Sequence, residues 1–74
     1  MKVIENNLKN FRKIRNLSQI EVSVKLKMSP DYYRKLEKGE QIPGSQYVGL
    51  LEKAFGAPFK DLYPHFFSPE FLDR

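Results

Sequence analysis

The chain has 74 residues, with 13 lysines and arginines, 9 aspartates and glutamates, one histidine and no cysteine. This length allows one domain with a thin core, and the absence of cysteine excludes disulfides and thiolate metal sites. No apolar run is long enough to span a membrane, and the first residues lack the apolar segment of a signal peptide. We therefore expect a small cytoplasmic protein that acts by binding, without a metal, cofactor or small-molecule substrate.

The charge is distributed unevenly along the chain. Residues 1–39 contain 10 lysines and arginines and 4 acidic residues, whereas residues 40–74 contain 3 basic and 5 acidic residues. A basic half beside a mildly acidic half favours a polyanionic partner such as nucleic acid, although lysines and arginines also solvate ordinary helices.

The first predicted helix covers residues 4–15. Its apolar residues recur at intervals of three and four, as in an amphipathic helix. They are Ile4, Leu8, Phe11 and Ile14. These four residues share one face of the predicted helix.

Residues 18–27 can be interpreted in two ways. Apolar and polar residues alternate from Ile20 to Met28, which is typical of a strand. Ser18 and Glu21, however, have the spacing of a capping box at the start of a helix. Because the chain offers no second convincing strand for pairing, we predict a helix.

Residues 30–38 form the third predicted helix. Ser29 is suited to cap its first turn, Pro30 to occupy its first position, and Gly39 to end it. Tyr33 and Leu36 share one side of this helix. The other side carries the charged residues Asp31, Arg34, Lys35 and Lys38.

Two further helices are predicted. The fourth covers residues 46–55, with Ser45 as its cap and Gly56 at its end. Its inward-facing residues are Val48, Leu51 and Phe55. A short fifth helix over residues 59–63 is limited by Pro64.

Two short helices joined by a tight turn, the second with a basic polar face, indicate a helix-turn-helix. From residue 8 to residue 63, the sequence resembles the Cro/phage-repressor-type helix-turn-helix domains, also called the xenobiotic-response-element (XRE) family. The matching positions are Phe11, Arg12, Leu17, Ser18, Gln19, Val22, Ser23, Leu26, Ser29, Leu36, Glu37, Lys38, Gly39, Pro43, Val48, Leu51, Phe55 and Gly56. The resemblance implies an all-α, lambda-repressor-like domain of five short helices over residues 1–64, with helices 2 and 3 as the helix-turn-helix. A short aromatic tail over residues 65–74 follows it.

Five positions depart from the family pattern. Lys27 occupies a turn position where the family favours glycine, so this residue must adopt a left-handed or strained conformation. Tyr33 replaces an aliphatic core residue, and Glu52 replaces an alanine. Ile20 and Val24 replace polar residues, which makes this pair a weak interface candidate, although scattered apolar exposure is also ordinary.

The resemblance implies that the third helix enters the major groove of double-stranded DNA. The candidate base-reading residues are Pro30, Asp31, Tyr32, Arg34 and Lys35. Arg34 or Lys35 could bind guanine, and Asp31 could accept a hydrogen bond from cytosine or simply be a first-turn acid favoured by the helix dipole. The candidates for contact with the DNA backbone are Ser18, Gln19, Ser29, Lys38, Ser45 and Gln46.

Two other polar features are given structural interpretations. The family pairs the positions of Arg12 and Glu37 in an ion pair between the first and third helices, so we expect these residues to stabilise the fold rather than to read DNA. His65 is expected to be a packed or exposed aromatic residue, because no acidic residue joins it at a metal-ligand spacing.

The tail is unusually apolar. Its candidate dimerisation residues are Phe66, Phe67, Phe71 and Leu72, which either pack on the domain's own core or bury against a second subunit. Because related proteins commonly dimerise on near-palindromic sites, we expect a homodimer.

The main prediction is a sequence-specific transcriptional regulator, most simply a repressor, that acts as a homodimer on a near-palindromic operator and that a protein partner could control. The alternative is a protein-interaction module, or an antitoxin-like partner, built on the same fold. Salt-dependent DNA binding separates the two. An enzyme is not favoured, since no nucleophile–base pair or carboxylate pair can be placed on one face.

Overall fold

A computed structural model describes residues 3–65, and within that range the chain forms five helices and no strand. They are α1 (Leu8–Ile14), α2 (Gln19–Leu26), α3 (Pro30–Lys38), α4 (Ser45–Phe55) and α5 (Phe59–Leu62). The predicted all-α architecture with a helix-turn-helix at α2 and α3 is confirmed. No helix in this part of the chain is long and apolar enough to cross a membrane.

The capping box decides the structure of α2. The Ser18 hydroxyl accepts a hydrogen bond from the Glu21 amide at 3.0 Å, and the Glu21 carboxylate accepts one from the Ser18 amide at 2.7 Å. These two bonds satisfy donors that a helix start leaves without a partner. The helical prediction for this ambiguous segment is therefore confirmed. Its alternating apolar residues separate into buried Val22 and Leu26 and exposed Ile20 and Val24.

The predicted start of α1 at residue 4 is wrong, because the preceding asparagines make long-range bonds. The Asn6 side-chain amide donates to the Leu36 carbonyl at 2.9 Å, and that of Asn7 donates to the Asp61 carbonyl at 3.0 Å. The Ile4 amide also donates to the Gly39 carbonyl at 2.9 Å. This segment therefore joins the ends of α3 and α5 instead of continuing the helix.

The predicted place of Ile14 on the apolar face of α1 is also wrong, since 77% of this residue is exposed. Leu8 is buried and Phe11 packs against the core, so these two residues fix the inward side of α1. At 3.6 residues per turn, Ile14 is rotated by roughly 120° from Leu8 and falls outside that side.

Lys27 and Ser29, which bound the turn between α2 and α3, both match their predictions. Lys27 has φ 57° and ψ 44°, which is the left-handed conformation expected from its place in the turn. Ser29 caps α3 by accepting a hydrogen bond from the Tyr32 amide at 3.1 Å. At the other end of α3, Gly39 has φ 81°, and a Cβ there would lie 2.6 Å from the Ile4 carbonyl oxygen. Glycine is therefore required by both conformation and space.

The start of α4 differs from the prediction. Ser45 is the first helical residue and Gly44 is the N-cap, without a side-chain cap bond. The helical bonding already begins at Gly44, whose carbonyl accepts from the Tyr47 amide at 2.9 Å. Glu52, one of the departures from the family pattern, has a structural role here. Its carboxylate accepts from the Phe59 amide at 2.8 Å and thereby satisfies a donor at the start of α5.

The helices enclose one core between them. In the described part of the chain, the buried apolar residues are Leu8, Val22, Leu26, Tyr33, Leu36, Leu51, Phe55, Phe59, Leu62 and Tyr63. Ser23 is buried among them, and its hydroxyl donates to the Ile20 carbonyl at 2.7 Å. A small residue at this point allows α2 to pack closely against its neighbours α3 and α4.

Candidate nucleic-acid interface

The exposed side of α3 is polar and mainly basic. Tyr33 and Leu36 anchor one side of the helix in the core, so the opposite side faces outward. The exposed set on α3 comprises Pro30, Asp31, Arg34, Lys35 and Lys38. Four of these are the base-reading candidates Pro30, Asp31, Arg34 and Lys35, which therefore lie on one accessible surface.

An ion pair connects two of these candidates. The Arg34 guanidinium lies 2.5 Å from the Asp31 carboxylate, one turn earlier on α3, and the two side chains are 47% and 76% exposed. Exposed pairs of this kind contribute little to stability, because water solvates both partners well. Arg34 can therefore exchange this carboxylate for another acceptor at small cost.

Tyr32 is placed differently from the other base-reading candidates. It is half-buried, and its ring lies 5.6 Å from the Tyr47 ring between centroids. Its hydroxyl accepts a hydrogen bond from the Gly44 amide at 3.3 Å. These contacts hold the start of α4 against α3, and the base-reading role of Tyr32 stays a prediction.

Beside this surface, Arg12 of α1 and Glu37 of α3 form a buried ion pair. The guanidinium Nε lies 2.5 Å from the Glu37 carboxylate, and a second guanidinium nitrogen donates to its other oxygen at 3.3 Å. The side chains are only 11% and 5% exposed. Arg12 also donates to the Leu17 carbonyl at 2.9 Å, which ties α1 to the residue before the α2 cap. The pair thus joins α1, α2 and α3.

Further donors complete the environment of the Glu37 carboxylate. The Gln19 side-chain amide donates to it at 3.0 Å and the Tyr33 hydroxyl at 2.7 Å. Burial alone would raise the pKa of Glu37, but the hydrogen bonds from Arg12, Tyr33 and Gln19 outweigh it and hold the pKa below its ordinary value of 4.5. Burial, together with the bond to this carboxylate, raises the pKa of the Tyr33 hydroxyl. Glu37 is therefore a charged, fully bonded acceptor.

A groove of about 560 Å³ opens between α1 and α3, next to this ion pair; we call it the α1–α3 groove. Its charged lining residues in the described part of the chain are Lys9, Arg12, Lys13, Arg34, Lys38 and Glu37, with Gln19 beside them. Five cations against one carboxylate give an excess of four positive charges, equal to the formal net charge of the whole chain. The positive potential is thus concentrated beside the exposed side of α3.

The sequence model of the helix-turn-helix family matches residues 8–62, which span α1 to α5. The chain belongs to this family of Cro/repressor-type helix-turn-helix proteins. It is a family of DNA-binding regulators, whose members are typically not enzymes. A search of curated proteins found no match.

The backbone-contact candidates of this helix-turn-helix protein occupy three places. Ser18 and Ser29 use their hydroxyls as the caps of α2 and α3. Gln19 lines the α1–α3 groove, and its amide is shared with Glu37. Ser45 and Gln46 are exposed at the start of α4. The candidates thus lie at the starts of three helices, and their contacts with DNA stay predictions.

The sequence patterns did not identify Lys9 and Lys13 of α1 as site residues. They are four residues apart and lie on either side of Arg12, so they share one side of the helix-turn-helix protein's first helix. This spacing was a usable signal, but the groove becomes visible only when α1 and α3 are brought together.

The remaining predictions concern the tail and His65. The dimerisation candidates Phe66, Phe67, Phe71 and Leu72 lie outside the described residues. His65 is exposed, and its Nε2 lies 3.5 Å from the Glu5 carboxylate. Among the residues that the structure describes, no cluster of three histidine or acidic side chains could hold a metal ion.

Proposed function

We propose that this protein is a sequence-specific transcriptional repressor that binds double-stranded DNA as a homodimer on a near-palindromic operator. The observation that carries the proposal is the position of the α1–α3 groove, whose excess of positive charge lies beside the exposed side of α3. A helix that presents donors next to a concentrated positive potential suits the major groove and its flanking phosphates.

Base reading is assigned to the exposed residues of α3. Arg34 and Lys35 can donate to guanine O6 and N7, and Asp31 can accept from the cytosine amine. Pro30 has no donor, so it is limited to apolar contact with a thymine methyl group. Because the Asp31–Arg34 pair is exposed, a guanine can replace the carboxylate as the partner of Arg34 without the cost of breaking a buried interaction.

Phosphate binding is assigned to the cations of the α1–α3 groove. Lys9 and Lys13 approach from α1 and Lys38 from the end of α3, whereas Arg12 is already paired with Glu37. The starts of three helices add neutral contacts through backbone amides or side chains. The residues there are Ser18 and Gln19 for α2, Ser29 for α3, and Ser45 and Gln46 for α4.

Phosphate binding predicts a matched pair of single variants. Replacing Lys13 by glutamine should reduce the slope of log affinity against log salt by about 0.9, the value for one lost phosphate contact. Lys60→Gln makes the same charge change on α5, outside the groove, and should leave the slope unchanged. Equal slopes for Lys13→Gln and the wild type would remove Lys13 from the phosphate contacts.

Dimerisation is assigned to the apolar residues of the tail: Phe66, Phe67, Phe71 and Leu72. A homodimer presents two copies of α3, and two half-sites about one helical turn of DNA apart would accept them. A near-palindromic operator follows from the two-fold symmetry of such a dimer.

The test is a selection from random DNA duplexes with the full chain at about 150 mM salt, where phosphate contacts alone give weak binding. An enriched motif with two-fold symmetry would support the dimeric regulator, and its half-site spacing would give the separation of the two α3 helices. A folded protein that enriches no sequence would overturn the proposal and favour the alternative of a protein-interaction module.

A further inference from the structure

A second basic groove lies between α2 and α4, and the proposed DNA contacts do not use it. It has a volume of about 430 Å³ and is lined by Lys25, Lys27, Leu50, Lys53 and Ala54. Leu50 and Ala54 pack partly against the core, so their outer surfaces give the groove an apolar floor. We call this site the α2–α4 groove.

The three lysines of the α2–α4 groove lack acidic partners within residues 3–65. Three like charges around one apolar floor repel one another, and a ligand with carboxylates would relieve that repulsion. Lys27 also holds the left-handed conformation of the turn, which disfavours any side chain relative to glycine. The groove therefore combines uncompensated charge, apolar surface and a backbone outlier.

The chain itself contains a segment of complementary composition. In residues 69–73 the acidic residues Glu70 and Asp73 flank Phe71 and Leu72. Two carboxylates on either side of two apolar side chains match lysines placed around an apolar floor. The match is one of composition, and the segment lies outside the described residues.

The position of the groove favours a second copy as the source of this segment. His65 lines one pocket together with Lys38, the last residue of α3. Lys27 of the α2–α4 groove lies near the opposite end of α3, just before the Ser29 cap. The nine residues of α3 span about 13 Å. Glu70 can lie at most about 17 Å from His65, so binding within one chain would use most of this reach, whereas binding to a second copy is not limited by it.

We propose that residues 69–73 of one copy bind the α2–α4 groove of a second copy, and that the exchange is reciprocal. Glu70 and Asp73 then pair with the lysines of the partner, while Phe71 and Leu72 cover Leu50 and Ala54. A reciprocal arrangement is what two-fold symmetry requires. The inference rests on the homodimer of the proposed function, for which it specifies the receiving surface.

A charge exchange between full-length chains tests the inference. One variant carries Lys25→Glu and Lys53→Glu in the groove, and the other carries Glu70→Lys and Asp73→Lys in the segment. Each variant alone should have half the mass of the wild type by light scattering. An equimolar mixture should recover the mass of a dimer, because each segment again meets a groove of opposite charge.

Matched controls separate a loss of dimer that depends on where the charge is changed from a loss caused by any charge change or by unfolding. Lys53→Glu should weaken the dimer, whereas Lys60→Glu, the same change on exposed α5, should leave the dimer mass unchanged. Circular dichroism establishes that each variant is folded. The segment variant keeps the test valid even if the groove variant unfolds, since its changes lie outside the five helices.

The possible outcomes distinguish this inference from the proposed function. If the wild type is a dimer and both variants remain dimers, the α2–α4 groove is not the receiving surface and the inference fails alone. If the mixture stays monomeric while one chain with all four changes recovers the dimer mass, exchange between copies is wrong. A monomeric wild type would overturn the homodimer itself, whereas DNA selection would still test the regulator.

Discussion

Two ion pairs of this protein have the same nitrogen–oxygen distance and very different surroundings. Arg12 and Glu37 meet at 2.5 Å with side chains that are 11% and 5% exposed. Asp31 and Arg34 also meet at 2.5 Å, but their side chains are 76% and 47% exposed. The distance therefore says little about the role of either pair, and the difference in solvent access says much more.

The buried pair is part of a network, whereas the exposed pair is isolated on one helix. Tyr33, Gln19 and the Leu17 carbonyl complete the bonding of Glu37 and Arg12. Removing one partner from such a site leaves a buried charge without compensation. Asp31 and Arg34 lie one turn apart, and water can replace either partner. We therefore assign stability to the first pair and exchangeable recognition to the second.

The largest expected effect comes from breaking the buried pair. Arg12→Met should lower the free energy of unfolding by about 3–5 kcal/mol, because Glu37 would stay buried with its main partner absent. Urea unfolding at neutral pH measures this loss. Asp31→Asn is the matched control for the exposed pair, and an equal loss in both variants would show that burial does not separate them.

A smaller loss is expected when one donor is removed from the buried pair. Tyr33→Phe should cost about 1.5–3 kcal/mol at neutral pH, the usual value for a hydrogen bond to a charged group. The Glu37 pKa lies below 4.5 in the folded state, so the stability linked to its charge is present above that pH and is lost as the pH falls through the folded pKa.

The pH dependence adds a second readout for Tyr33→Phe. The phenylalanine variant should differ most from the wild type above pH 4.5, and the difference should narrow as Glu37 takes up a proton at lower pH. Urea unfolding at several acidic pH values measures the trend. A difference that stays constant with pH would mean that the Tyr33 hydroxyl acts independently of the Glu37 charge.

The exposed pair should affect DNA binding instead of folding. Arg34→Ala should weaken binding to the selected operator by about 1–3 kcal/mol if the guanidinium reads a base, with little change in unfolding. Binding to operator and scrambled duplexes, measured by fluorescence anisotropy, gives the loss of specificity. Unchanged affinity for both duplexes would remove Arg34 from base reading, while an equal loss on both would make it a phosphate contact.

The helix ends show how much of the fold could be predicted from the sequence. The caps at Ser18 and Ser29 and the end at Gly39 follow from residues at fixed offsets, and the structure confirms them. The start of α1 could not be predicted, because Asn6 and Asn7 bond to carbonyls 30 and 54 residues away. Local patterns identified the starts of α2 and α3 and the end of α3, although they misplaced the cap of α4 by one residue. They contain no information about distant partners.

The site was predictable to a similar extent. A surface on α3 follows from helical periodicity once Tyr33 and Leu36 are assigned to the core. The α1–α3 groove does not follow, because Lys9 and Lys13 become neighbours of Lys38 only when two helices pack. Nor does the Asp31–Arg34 bond, since a spacing of three residues allows such a pair without requiring it.

The smallest expected effect tests whether Asp31 restrains Arg34. Asp31→Asn should change the free energy of unfolding by less than about 1 kcal/mol, as for other exposed pairs. It should also strengthen binding to random duplexes, because it removes a negative charge beside the phosphates and releases Arg34. A fall in operator affinity together with a rise in non-specific affinity would instead make Asp31 a reader of cytosine. Arg34→Ala combined with Asp31→Asn separates these effects: with no arginine to release, only the direct contribution of Asp31 to base recognition and charge would remain.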